Sequence, residues 1–179
     1  MRKIFTIVFI LISLSVCTYA QTGQDILKKA RRDAKELVKA GWKPYIKMPD
    51  IEEQLNNAYL LEDRVIDGES QYFMGSSRCR GNDLQKAHSA AMMSARTKIA
   101  KDINSYISTN IIVKMGSDSN QRISRNILVT TERKLGKTEP IVDIYREMND
   151  DKYEVEVRIS YAKKEIDKNI DEVIKTVSE

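Results

Sequence analysis

The chain has 179 residues, a formal charge of +4, 41% hydrophobic residues and 31% charged residues of both signs. This is enough apolar content for a core and too much for a disordered chain, and the charge argues against a body embedded in a membrane. Two cysteines exclude a disulfide scaffold, and a single histidine excludes most histidine-rich metal sites.

Residues 1–20 have the three parts of a secretory signal peptide. Arg2 and Lys3 open it, an apolar run extends from Ile4 to Val16, and the small Thr18 and Ala20 precede the expected cut. The run is short for a bilayer span. Cys17 raises lipidation as a competing fate, but Val16 is bulky where a lipoprotein signal needs Gly or Ala, so cleavage after Ala20 is favoured. A mature chain from Gln21 has 159 residues, no transmembrane segment and, without Arg2 and Lys3, a charge of +2. Its expected place is the periplasm or the outer membrane surface. Cys79 is then a lone thiol, for which burial is the common outcome.

The mature chain divides into an N-terminal helical segment, 21–66, and an α+β domain, 67–179. Leu27, Ala30, Ala34, Leu37 and Val38 form an apolar stripe over 24–40, and Gly41 stands at the C-cap position. The opposite face is rich in Lys and Arg, diluted by Asp33 and Glu36, and reads as a solvated face. Pro44 and Pro49 make 43–49 extended, and Trp42 before it is expected to anchor the core. Asp50 with Glu53 forms a capping box for a helix over 51–65, with Ile51, Leu55, Ala58, Leu61 and Val65 inward.

Asp67-Gly68-Glu69 marks a turn, and Gln71 to Ser77 a strand. Gly81-Asn82-Asp83 breaks the chain and offers an N-cap. The longest helical pattern covers 83–112, with Leu84, His88, Ala91, Ala95, Ile99, Asp102, Ile103 and Tyr106 on one side. After a polar break from Met115 to Asn120, a helix over 120–135 buries Ile123, Ile127 and Leu135 and stops at Gly136. Ile141 to Met148 and Tyr153 to Tyr161 form an antiparallel hairpin across Asn149-Asp150-Asp151-Lys152. In the second strand Val155, Val157 and Ile159 alternate with Glu154, Glu156 and Arg158, which implies one buried and one wet face. Ile166, Ile170, Val173, Ile174 and Val177 give a final amphipathic helix. The expected fold is α+β: a small antiparallel sheet of about three strands with a C-terminal hairpin, packed on one face by a long alanine-rich helix and further helices.

Little in this pattern carries chemistry. His88 lies among alanines, where a hydrogen-bonded structural role outweighs a general base or a ligand. A Cys79–His88 thiolate pair lacks a surrounding nucleophile signature. There is no CxxC, HExxH, P-loop or GxGxxG, so no metal and no cofactor is expected. The segment Gly75-Ser76-Ser77-Arg78-Cys79-Arg80-Gly81 reads as a small-residue loop with basic side chains. Backbone N–H groups of such a loop can hold an anion. The candidate ligand residues are therefore Gly75, Ser76, Ser77 and Arg78, with His88 nearby. Nucleic acid is a poor partner for a mature charge of +2.

The segments Gly75-Ser76-Ser77, Asp83 to Arg96 and Ile99-Ala100 form a wider pattern. With Ala91 to Arg96 reading AMMSAR against an AxxxAR core, residues 70 to 162 resemble bacterial envelope proteins of the Lpp-type small-lipoprotein and flagellar-assembly-T N-terminal group. Ala40-Gly41-Trp42-Lys43-Pro44 and Leu55 to Leu61 are similar to secreted proteins of the Bacteroides type. The resemblance implies a helix-wrapped, dodecin-like sheet and an envelope location, and supplies no catalytic residues. The expected function is that of a non-enzymatic exported envelope protein acting through contacts with envelope proteins or with itself as a homodimer. The alternative is a small-ligand or anion-binding module, or a cryptic hydrolase, using the 75–81 segment.

Overall fold

The computed structural model of the chain describes residues 23–115 and 120–178. The expected signal segment 1–20, with Cys17, lies outside them, as do residues 116–119 of the polar break and the side chains of Ile123, Val173, Ile174 and Val177.

Helix α1 covers 23–39 and ends as its glycine requires: Gly41 sits at φ +84°, a left-handed conformation that costs glycine little. Its inward line runs through Ile26, Ala30, Ala34 and Leu37. Leu27 and Val38, expected on that line, are exposed, because each lies about 100° round the helix from a contact residue. A short strand β1, Lys43–Pro44, follows. Helix α2, Ile51–Glu62, is capped as expected, with the Asp50 carboxylate accepting the Glu53 N–H at 2.8 Å. It stops three residues before Val65. Val65 instead pairs with Ser70 in a ribbon of β2, Val65–Ile66, and β3, Glu69–Ser70, and is exposed. Asp67 and Gly68 join them with φ of +52° and +81°, the two positive values of a tight hairpin turn.

Strand β4, Tyr72–Gly81, is longer than expected and runs straight through the supposed 75–81 loop. Asp83 then accepts the Lys86 N–H at 2.7 Å and opens helix α3, Leu84–Met115. The buried residues of α3 are Ala87, Ala91, Ala95, Ile99, Ile103, Ile107 and Ile111. A strict four-residue step drifts about 40° per step on a helix of 3.6 residues per turn, so this ridge winds around the axis. That lets one helix serve β4 and β6 as well as α4 and α5. Asp102, expected inward, falls off the ridge and is exposed.

Helix α4, Asn120–Leu135, buries Ile127, Thr131 and Leu135. Strands β5, Val142–Glu147, and β6, Tyr153–Ala162, form the expected hairpin, and α5, Lys163–Ser178, follows β6 directly with Ile166 and Ile170 buried.

The result is a mixed α+β fold around a four-stranded antiparallel sheet in the order β1–β5–β6–β4. The fourth strand comes from the N-terminal segment, where Lys43 and Pro44 of the extended 43–49 stretch pair with Tyr145 and Ile144. Helices cover both faces, not one. Val155, Val157 and Ile159 pack against α3 in one core, while Val142 and Ile144 pack against Ala30, Trp42, Leu55 and Ala58 in a second. Trp42 is 4% exposed, as an anchor should be. The face of β6 expected to be wet is therefore covered, and Glu154 and Glu156 are buried in it.

Candidate functional site

The buried carboxylates follow from strand register. Arg80 stands opposite Glu154, Arg78 opposite Glu156, and Arg146 of β5 opposite Glu154 on the other side. Arg80 Nε donates to Glu154 Oε1 at 2.8 Å, and Arg146 Nε donates to Glu154 Oε2 at 2.7 Å. Arg78 Nε donates to Glu156 Oε2 at 3.1 Å, and Arg158 donates to Glu156 Oε1 at 3.0 Å. The guanidinium carbons of Arg78 and Arg146 each lie 5.1 Å from the Trp42 ring centroid, in cation–π reach. Burial would raise the Glu154 carboxyl, but the two arginines outweigh it and hold it below the usual range. Exposure is unequal within each pair. The Arg78 and Arg80 side chains are 52% and 61% exposed, against 9% and 2% for Glu156 and Glu154. A visitor to this face meets guanidinium groups above hidden acids.

Backbone direction adds a second property. The Ile141 N–H donates to Arg158 O at 2.8 Å, so Arg158 turns its backbone groups toward the β5 side. Its β4 partner Ser76 is then in a pair without mutual hydrogen bonds, and turns its own N–H and C=O away from the sheet. Lys98 Nζ, 3.5 Å from Ser76 O, marks that outer side. By the same alternation Met74, Arg78 and Arg80 also face outward. Pairs of this kind bring side chains closest together, which explains the Arg–Glu contacts. Strand β4 ends the sheet order, so among the described residues nothing pairs with its outer edge.

A groove of about 270 Å³ lies over the face that β4 shares with β6, lined by Glu62, Met74, Gly75, Ser76, Ser77, Arg78, Glu156 and Arg158. The structure thus gathers the four expected residues Gly75, Ser76, Ser77 and Arg78, but as a strand edge. Gly75 faces α3: a Cβ there would lie 2.5 Å from Ala95 O and 2.6 Å from Ile99 Cγ1. Its small size serves helix–sheet approach. Cys79 is half-buried, with its Sγ 3.8 Å from Ser77 Oγ.

His88 belongs elsewhere. Its Nε2 is 2.8 Å from Asp143 Oδ2, and its ring stacks on Tyr45 with centroids 4.2 Å apart. Burial pushes the Asp143 carboxyl up, against the opposing hydrogen bond and charge of His88. Asp143 Oδ1 has no hydrogen-bond partner, while the Asp143 N–H donates to the buried Gln54 Oε1 at 2.7 Å. His88 also lines a groove of about 540 Å³ with Ser89, Met92, Met93, Arg96 and Leu135, separate from that along Gly75–Arg78. The expected single site splits into two.

Sequence reasoning missed Asp143, Glu154, Glu156 and Arg146. Asp143 interrupts the apolar run 141–144, a signal that it needs a buried partner. Glu154 and Glu156 match Arg78 and Arg80 in their two-residue spacing, a complementarity visible only once the strands are paired. Among the described residues no helix is long and apolar enough to cross a membrane, and no group of three His, Cys, Asp or Glu side chains could hold a metal ion. No family model, no curated protein and no solved structure matches the chain.

Proposed function

We propose that the chain is a non-enzymatic, exported protein of the cell envelope that works by binding another polypeptide along the outer edge of β4. One observation carries this reading: a ten-residue strand whose outer backbone groups have no strand partner among the described residues. Such an edge binds extended chains through main-chain hydrogen bonds. The leader pattern of residues 1–20 supports export. The resemblance of residues 70 to 162 to small envelope lipoproteins supports the location, and its dodecin-like wrapping of sheet by helix belongs to the same reading.

A second reading, a small anion-binding module, is favoured by Arg78 and Arg158 lining the groove beside Ser76. A photo-crosslinking amino acid in place of Ser76 in the exported full chain separates the two. The polypeptide reading expects one discrete protein adduct from Ser76 and none from Val129, an exposed residue on α4. No adduct from Ser76, or equal adducts from both, contradicts it.

A further inference from the structure

The two ends of the sheet are treated differently. The β1 edge is two residues long and contains Pro44, which has no N–H to offer. Short length, lysine and proline are the usual means of blunting an edge, and Lys43-Pro44 has all three. The β4 edge has ten residues and no proline, with small side chains at Gly75, Ser76 and Ser77 where a second backbone could approach closely.

The inner neighbour of β4 shows what this strand pairs with. On β6, Glu154 and Glu156 are two residues apart and meet Arg80 and Arg78. Both guanidiniums remain half exposed or more. Each carries five N–H donors, of which the glutamates take only some. Arg78 and Arg80 also have the parity that directs backbone groups outward. A strand added antiparallel outside would form mutually hydrogen-bonded pairs with them. Its residues opposite them would lie on the same face as the guanidiniums. Near Ser76 the positive charge continues, because Lys98 reaches the Ser76 carbonyl and Glu62 is paired with Arg158.

We infer that the β4 edge takes an extended polypeptide with acidic residues at alternate positions, which adds to the sheet as a fifth strand and places its carboxylates on Arg78 and Arg80. This rests on the polypeptide-binding reading above and names the partner's chemistry. The acids belong opposite Arg78 and Arg80. A second copy of the chain does not fit. The β4 sequence YFMGSSRCRG contains no carboxylate, so a two-fold β4–β4 pairing leaves the guanidiniums without acids. The other edge offers only Lys43 and Pro44.

The test uses the chain from Gln21 onward and three labelled peptides followed by fluorescence anisotropy. One alternates Glu with Thr, one alternates Lys with Thr, and one is the Glu peptide N-methylated on the residues that would face β4. The Glu peptide binds saturably and weakens as salt is raised. The Lys peptide binds roughly tenfold more weakly, and N-methylation abolishes binding. Arg80→Gln, which leaves Glu154 held by Arg146, lowers the unfolding midpoint somewhat and weakens the Glu peptide several-fold while leaving the Lys peptide's affinity unchanged.

Equal affinity for Glu and Lys peptides overturns the inference. So does undiminished binding of the N-methylated peptide, which would mean diffuse charge attraction. So do absent binding to a protein with native unfolding behaviour, and a dimer in sedimentation that leaves the edge occupied. A discrete protein adduct from Ser76 with no Glu-peptide binding would sink this inference alone; absence of both sinks the parent reading as well.

Discussion

His88, on α3, and Asp143, on β5, meet at 2.8 Å and tie the long helix to the sheet across 55 positions of sequence. The Asp143 side chain is 4% exposed, and its other oxygen has no partner. His88→Ala therefore leaves a buried carboxylate without its one side-chain donor. The expected loss is about 2 kcal/mol in urea unfolding. Adding Asp143→Asn to His88→Ala recovers part of that loss, because the uncharged amide costs less to bury. A double-mutant cycle in which the two changes simply add would show that the pair does not couple.

The pH dependence separates the two buried acids. Glu154 has a lowered pKa because Arg80 and Arg146 outweigh its burial. Its contribution is present above the unfolded value near 4.5 and is lost as pH falls through the lower folded value. Asp143 is raised by burial, so its effect has the opposite sign. Stability falls as pH rises from the unfolded value near 3.8 through the folded one. Glu154→Gln should flatten the acid limb of the stability curve, and Asp143→Asn should remove a decline on the other side. Unfolding midpoints measured across the acid range read both slopes. Identical curves for the two variants would contradict the assignment.

Gly75 tests whether the small residues of β4 serve packing or a ligand. A methyl group at that position meets the Ala95 carbonyl and the Ile99 side chain, one of them backbone that cannot rotate away. Gly75→Ala should cost about 1–3 kcal/mol, as overpacking does. Ser76→Ala, on the exposed outer edge, should change stability by less than about 0.5 kcal/mol. Equal costs would mean that Gly75 has room the structure denies it.

Proline reads the direction of each backbone N–H. Ser76 faces outward and Ser77 faces β6, so only the second donates into the sheet. Ser76→Pro should fold with a modest loss, since an edge strand tolerates proline where its N–H points to solvent. Ser77→Pro removes a ladder hydrogen bond and should cost about 3 kcal/mol or more. Circular dichroism and thermal unfolding of the two variants decide it, and a reversed order would mean the register is wrong by one residue.

Much of the fold was legible because its signals are local. Asp50, Asp83 and Gly41 announce their caps, and the 141–161 hairpin follows from alternation and a polar turn. The faces of the sheet were not legible. Alternation tells which residues share a face, and charge by itself points to water. Glu154 and Glu156 break that link because their partners come from β4 and β5, far away in sequence. The Gly75–Gly81 segment failed for a related reason. Small and basic residues look like a loop until Gly75 is needed under α3 and Arg78 and Arg80 are needed over the glutamates.

The central claim is that β4 presents an open edge built to receive another chain. Amide hydrogen exchange along β4, read residue by residue by NMR, tests it most directly. In the free protein the amides of Met74, Ser76, Arg78 and Arg80 should exchange fast, and those of Gly75, Ser77 and Cys79 slowly. With the Glu–Thr peptide added, the fast set should become protected and the slow set should not change. Uniform protection in the free protein, or a fast set that the peptide leaves unaltered, would contradict the account.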